Sequence, residues 1–224
     1  MKIIEEAFEK GQTVLPEFES KRILGSYGIP VTKEVPVDHI GNLLTAAGKI
    51  GYPLVMKGWA RGISHKMETG LVHLNIRDDR EALAAYKKLM DTMEGGGEQV
   101  LVQEMVKGER ELMVGMIRDP QFGPCVMFGL GGIFTEVLND TVFRVAPLKK
   151  SDALEMMLEI KACKILEDVR GTERVDKNEL ACILIAVGQI GLENDGIKEI
   201  DINPVIISSG KPIAADALVI LERN

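Results

Sequence analysis

Apolar and polar positions alternate along the chain in two periods. Residues 16–27, PEFESKRILGSY, put Phe18, Ile23 and Leu24 on one side of a helix that opens at Pro16 and stops at Gly28 and Pro30. Asp38 stands where a second helix needs its N-cap, ahead of Ile40, Leu43, Leu44, Ala47 and Ile50 at helical spacing. Gly51 and Pro53 end that helix, and PLVMK reads as a buried strand. LVHLNI, 71–76, alternates and predicts another strand. Residues 79–93 predict a helix with Leu83, Tyr86, Met90 and Met93 on its stripe. Strands are then expected over EQVLVQEMV (98–106), RELMVGMIRD (110–119), PCVMFGLGG and 142–146. Helices are expected over 151–159 and 176–193, the second with Leu180, Ile183, Leu184, Val187 and Ile190 in register. INPVIIS and PIAADALVI close the chain as two strands. The order lacks strict βαβ alternation, so the expected class is α+β, with two small sheet-bearing subdomains. The border falls at VKGER, giving residues 1–106 and 107–224.

Composition narrows the function. Charged residues make up 27% of the 224 and the net charge is −7, with aromatics at only 4%. A basic, aromatic-studded face for nucleic acid is therefore not expected. No apolar run approaches the roughly 20 residues of a membrane span. MKIIEEAFEK is acidic and amphipathic, unlike a signal peptide. Cys125, Cys163 and Cys182 are scattered and imply neither a zinc site nor a disulfide framework, which fits a cytoplasmic protein. The 23 glycines exceed the usual share of about 7% and ask for tight turns or backbone that approaches a ligand.

Four places carry candidate chemistry. GLGGIF, 129–134, puts Phe134 at the third glycine place of a dinucleotide fingerprint and Lys149 where an acid belongs, so it reads as turn glycines or as backbone N–H groups that cradle phosphate. The final strands meet at SSGK, 208–211. A hairpin symmetric about Ser209-Gly210 sets Asn203 opposite Asp216, with Cβ atoms about 5 Å apart. Asp201, two residues earlier, shares that face. Two carboxylates and an amide oxygen suit Mg²⁺; alternatively, DINP is a strand-to-turn in which Asp and Asn satisfy local backbone. Arg144, in VFRVAP, is either an exposed-face residue or an anion ligand. Lys57 has the same ambiguity, but the glycine after it permits close approach of a ligand. His65-Lys66 lies in a glycine-punctuated loop. It is either an incidental surface pair or a phosphate-accepting imidazole beside a stabilising cation.

Together, PEFESKRILGSYGIPV, GYPLVMKG, SHKMETG, the block from VLVQEMVKGERELMVG to TVFRVAPL, and EIDINPVI with ADAL resemble a known family. It is the nucleotide-handling ATP-grasp subunit of ADP-forming acyl-CoA synthetases, relatives of succinyl-CoA synthetase. The resemblance covers nearly the whole chain. It implies two α+β subdomains clasping ATP or ADP, with Lys57 at the nucleotide phosphates. Gln103, Glu104, Met105 and Val106 would form the hinge that receives adenine, and Glu111 would lie near the ribose. Gly129, Gly131 and Gly132, with Arg144, would fall at the phosphate end. Asn203 and Asp216 would hold Mg²⁺, and Asp201 would neighbour the phosphohistidine site. His65, with Lys66, would carry a phosphoryl group to ADP. After HK the family's usual glycine pair is reduced to Gly70 in METG. No CoA-binding domain is visible, so a CoA-binding α-type partner subunit is expected, two of each chain in a hetero-oligomer that also takes phosphate. The alternatives are a stand-alone ATP-grasp carboxylate ligase and a non-catalytic nucleotide-binding module.

Overall fold

A computed structural model describes residues 1–59, 70–93, 99–108, 110–132, 140–168 and 173–223. The chain forms two compact units, one of residues 32–106 and one of residues 1–31 with 107–224. The border at VKGER is where the sequence places it, but residues 1–31 pack with the second half. The reason is a non-local pairing. Val14–Leu15 (β1) pairs with Leu218–Leu221 (β11), and Val31 bridges to Ala214.

The smaller unit is a four-stranded antiparallel sheet. Its order is Glu34–Val37 (β2), Gln99–Glu104 (β5), Leu54–Trp59 (β3) and Val72–Ile76 (β4). Leu43–Ile50 (α3) and Asp79–Met93 (α4) cover one face, burying Leu43, Ala47, Leu54, Met56, Leu89, Val100 and Val102 together. Asp38 does not cap α3. It accepts a hydrogen bond from Gln99 Nε2 at 2.7 Å, and a 3₁₀ turn capped by His39 Nδ1 precedes the helix. Gly58 does not open space for a ligand either. A Cβ there would lie 2.8 Å from Met93 Sδ and 3.0 Å from Leu71 Cδ2, so its bareness admits the core.

The larger unit holds Lys2–Glu9 (α1), Glu17–Ser26 (α2), Lys150–Glu159 (α5) and Lys177–Glu193 (α6). Its sheet runs β1, β11, Ile197–Ser208 (β9), Arg110–Asp119 (β6), Gly123–Leu130 (β7) and Thr141–Val145 (β8), with Lys211–Ala214 (β10) also on β9. The buried face is apolar at alternate positions: Val114 and Met116, Val126 and Phe128, Ile200 and Ile202, Val219 and Leu221. Helix α6 contributes its predicted stripe, Leu180, Ile183, Leu184, Val187 and Ile190, to that core. Asp176 caps the helix by accepting from the N–H groups of Asn178 and Glu179. At the other end, Arg118 donates to the carbonyls of Gly191, Asn194 and Ile197, which closes off the C-terminus. In α2, the EFESK of the N-terminal motif buries an ion pair, Lys21 Nζ to Glu17 Oε1 at 2.8 Å. Among the described residues no helix is long and apolar enough to cross a membrane.

Candidate functional site

In the smaller unit, strand alternation puts Lys57 on the sheet face turned away from Met56 and the helices. Its ladder partner is Leu101, and Gln103 lies two residues further on that same face. Both Lys57 and Gln103 are buried. A charged amine is held inside a sheet only when compensated. Glu104 is tied to Lys33: its N–H donates to the Lys33 carbonyl at 2.9 Å, and its Oε1 accepts the Lys33 N–H at 2.7 Å. Its carboxylate therefore braces the chain entering β2. Met105 and Val106, half-buried, follow as the ladder ends. His65 and Lys66 lie outside the described residues.

In the larger unit, the hairpin register is the one the SSGK turn implies. Lys211 pairs with Ser208 and Ala214 with Val205, and Ala215 N–H donates to the Pro204 carbonyl at 3.0 Å. The ladder breaks at 215–217 and resumes in the same register, with Leu218 opposite Asp201. Asn203 and Asp216 therefore face each other across the break. On the other side of β9, Leu112 pairs with Val205 and Val114 with Ile202, leaving Met113 opposite both Asn203 and Pro204. That bulge sits at the site, where bulges commonly re-aim a side chain.

Asp201 is the electrostatic centre. It is largely buried, and its Oδ1 has no hydrogen-bond partner. Burial pushes its carboxyl up to about 6, helped by the charges of Glu199 and Asp216. Glu199 is a third acid that the motif reading passes over, although the alternation of EIDIN places Glu199, Asp201 and Asn203 on one face. Asp216 Oδ1 accepts the Ala217 N–H at 2.8 Å. Asn203 Oδ1 receives a long 3.5 Å contact from the Gly132 N–H.

The glycines divide. Gly132, at φ +68°, brings its backbone against the Glu111 carboxylate and Asn203, and the Gly131 N–H donates to the Glu111 carbonyl at 2.9 Å. Gly129 serves the sheet: a Cβ there would lie 2.6 Å from the Asp140 carbonyl oxygen and 2.7 Å from Thr141. Arg144 lies on the other face from the acids. Across the sheet it aligns with Val126, Met116 and Ile200 on the helix-covered face, where it pairs with Glu159 of α5. Asp201 aligns with Gly115, Met127 and Phe143 on the other face. Strand alternation thus separates Arg144 from the acids by the thickness of the sheet.

The residues present fit a hard divalent cation. An orphaned buried carboxylate oxygen beside two further acids is costly without a positive charge, and an amide oxygen faces the same place. No group of three His, Cys, Asp or Glu among the described residues is arranged to hold a metal ion on its own. Mg²⁺ is a cation that keeps waters and takes substrate phosphate oxygens in its shell.

A family model described as an ATP-grasp domain matches residues 6–221. The β subunit of the ADP-forming acetate–CoA ligase I of Pyrococcus furiosus is 46% identical over 224 residues, 98% of this chain and 96% of its own. Among solved structures, acetyl-coenzyme A synthetase 1 of Ca. Korarchaeum cryptofilum, in complex with coenzyme A, Ca-AMPCP and HgCl⁺, superimposes with a TM-score of 0.93 at 40% identity, covering 99% of each chain. A second structure of that enzyme, with coenzyme A and Mg-AMPPCP, has its phosphohistidine segment pointing towards the nucleotide binding site and gives a TM-score of 0.88 at 40% identity, again over 99% of each chain. With both matches running nearly end to end, the chain belongs to the ATP-grasp family, among the β subunits of ADP-forming acetate–CoA ligases.

Proposed function

We propose that this chain is the nucleotide-binding subunit of an ADP-forming acyl-CoA synthetase, active with a CoA-binding α-type companion. The reaction is acyl-CoA + ADP + phosphate ⇌ acid + CoA + ATP. The companion forms an acyl phosphate and passes its phosphoryl group to a histidine. This chain accepts that group at His65 and delivers it to ADP. In the delivery the P–N bond to the imidazole breaks, a P–O bond forms to the terminal oxygen of ADP, and the imidazole is free to receive the next phosphoryl group.

The observation that carries the reading is the orphaned Asp201 carboxylate, set with Asn203 and Asp216 on a chain related along its length to such β subunits. Asn203 and Asp216 would hold Mg²⁺, whose role when bound is to neutralise charge on the phosphates. In the smaller unit Lys57 offers a fixed cation to the phosphates and residues 103–106 offer the strand end to the base; in the larger unit Glu111 and the Gly131-Gly132 backbone lie beside Asn203. Asp201 orients the incoming imidazole. Phosphoryl transfer leaves little covalent work to the protein, so positioning and charge supply most of the catalysis.

The test mixes the purified chain with its companion subunit, acyl-CoA, ADP, Mg²⁺ and phosphate, and follows CoA release. The wild type turns over and His65→Ala falls to background. Full activity in His65→Ala removes the relay while leaving the nucleotide site; no activity with the companion removes the ligase reading.

A further inference from the structure

Arg110 and Asp140 are buried charges of the larger unit, 7% and 5% exposed. In the same unit Lys21 and Glu17 answer each other. Arg110 and Asp140 meet no opposite charge among the described residues and spend theirs on backbone. Both turn to one stretch of chain. Arg110 Nη1 donates to the carbonyls of Ile165 at 2.9 Å and Glu167 at 3.1 Å, and its Nη2 donates to the Glu173 carbonyl. Asp140 Oδ1 accepts the Lys161 N–H at 2.7 Å, and its Oδ2 accepts the Ala162 N–H at 2.8 Å. Those N–H groups lead into a 3₁₀ turn, Cys163–Leu166, so the two charges clasp that turn from its two ends. A turn that needed only to be folded could be held by neutral amides at a lower desolvation cost. Charged partners make hydrogen bonds about twice as strong as neutral ones, which suits a frame that must not shift.

We propose that Arg110 and Asp140 are positioning residues for the nucleotide: by clasping the chain around that turn they hold the Glu111 carboxylate and the Gly131-Gly132 backbone in place. The contacts close a ring. From Asp140 it runs through the Lys161 and Ala162 N–H groups to the 3₁₀ turn, and from the Ile165 and Glu167 carbonyls to Arg110. The next residue, Glu111, accepts the Gly131 N–H on its carbonyl at 2.9 Å, and the Leu130 N–H points back to the Asp140 carbonyl at 3.4 Å. Arg110 pairs with the core residue Ile207, so alternation sends Glu111 to the opposite face, where its carboxylate meets Gly132. A Cβ at Gly131 would lie 2.7 Å from the Leu112 carbonyl oxygen, so the glycine turn rests directly on the strand that Arg110 begins. Any slip at Arg110 is carried to both Glu111 and the glycine N–H groups. Groups fixed before binding need not be ordered by the ligand, and that is what the ring supplies. The inference rests on the reading that Glu111 and the glycine backbone line the nucleotide site.

The experiment is a pair of double-mutant cycles on the full chain. Arg110→Lys keeps the charge but cannot reach three carbonyls, and Asp140→Asn keeps the shape but leaves one acceptor oxygen for two N–H groups. Each is made alone and with Glu111→Gln. Urea unfolding first establishes that each variant is folded under the assay conditions, and isothermal titration then gives the Kd for Mg·ADP. The two changes lie at opposite ends of the clasped turn, so a variant that does not fold leaves the other to decide. The expected result is a Kd raised about three- to tenfold by each single change and by Glu111→Gln, with each double variant no weaker than Glu111→Gln alone. Losses that multiply in the Glu111→Gln background, or a lowered unfolding midpoint with wild-type Kd, give Arg110 and Asp140 a purely structural role and overturn the proposal. A Glu111→Gln variant with wild-type Kd removes Glu111 from the nucleotide site and the proposal with it. A wild-type chain that does not bind Mg·ADP overturns the nucleotide-binding reading as well.

Discussion

Replacing Asp201 by Asn should stabilise the free protein while it damages the site. In the folded chain the carboxyl titrates at about 6, against 3.8 when unperturbed. A raised folded pKa in an acid means the folded state prefers the protonated form. The sign follows: above pH 6 the charged carboxylate opposes folding, and the opposition fades as pH falls through 6 towards 3.8. At pH 8 it amounts to at most about 3 kcal/mol, because the carboxyl is not fully buried. At pH 5 roughly half of it remains. Asn keeps the shape and removes the charge, so Asp201→Asn should gain up to about 3 kcal/mol at pH 8 and about half as much at pH 5. The assay is urea unfolding of both proteins without nucleotide or Mg²⁺ at the two pH values. Saturating Mg·ADP should reverse the order, because ligand bound to the folded state stabilises it by mass action and the variant binds less. A variant that is less stable than the wild type at pH 8, or a gain independent of pH, would refute the placement of Asp201 as an uncompensated buried charge.

Arg144→Ala should change Mg·ADP affinity less than about threefold and stability by less than about 1 kcal/mol, since a half-exposed ion pair to Glu159 is worth little; isothermal titration showing a larger loss of affinity would return Arg144 to the phosphates. Gly129→Ala should cost about 1–3 kcal/mol in urea unfolding, because its Cβ meets the Asp140 backbone; a neutral result would mean that β7 and β8 are not packed as described. His73 has its pKa lowered by burial and then by Lys88, and its ring Nε2 is unpartnered. Its contribution to stability is present above the unfolded value of 6.5 and lost as pH falls below it, so the difference between wild type and His73→Leu should move in favour of the variant from pH 7.5 to pH 5.5. A difference that stays constant across that range would remove the buried neutral imidazole.

Local patterns made most elements legible, and face assignment was the weak point. The helix at 79–93 and the strand at 110–119 appear with the bounds their periodicity predicts. The SSGK turn fixes register on one side of β9 so firmly that it survives a break at 215–217, which no residue pattern announces. The face that Arg144 takes was not legible, because VFRVAP is apolar on both sides and carries no information about which face is covered. Gly58 and Gly129 raise a different difficulty. A glycine that admits a core side chain or a neighbouring strand looks the same in sequence as one that admits a ligand. Residues 1–31 went to the wrong unit because their place is set by pairing with β11, some two hundred residues away, and a non-local strand pair leaves no local trace. Strand alternation places Asp201 on the face of Asn203, but its burial and its unpartnered oxygen are properties of the packed sheet.

The central claim is that a phosphoryl group passes through this chain to ADP. The direct measurement supplies the wild-type complex with acyl-CoA, Mg²⁺ and ³²P-labelled phosphate but no ADP, separates the subunits under alkaline conditions that preserve phosphohistidine, and then repeats the sample after a chase with Mg·ADP. The account predicts acid-labile label on this chain, absent in His65→Ala, and its transfer to ATP in the chase. Label confined to the companion subunit, discharged to ATP equally well in wild type and His65→Ala, would contradict it.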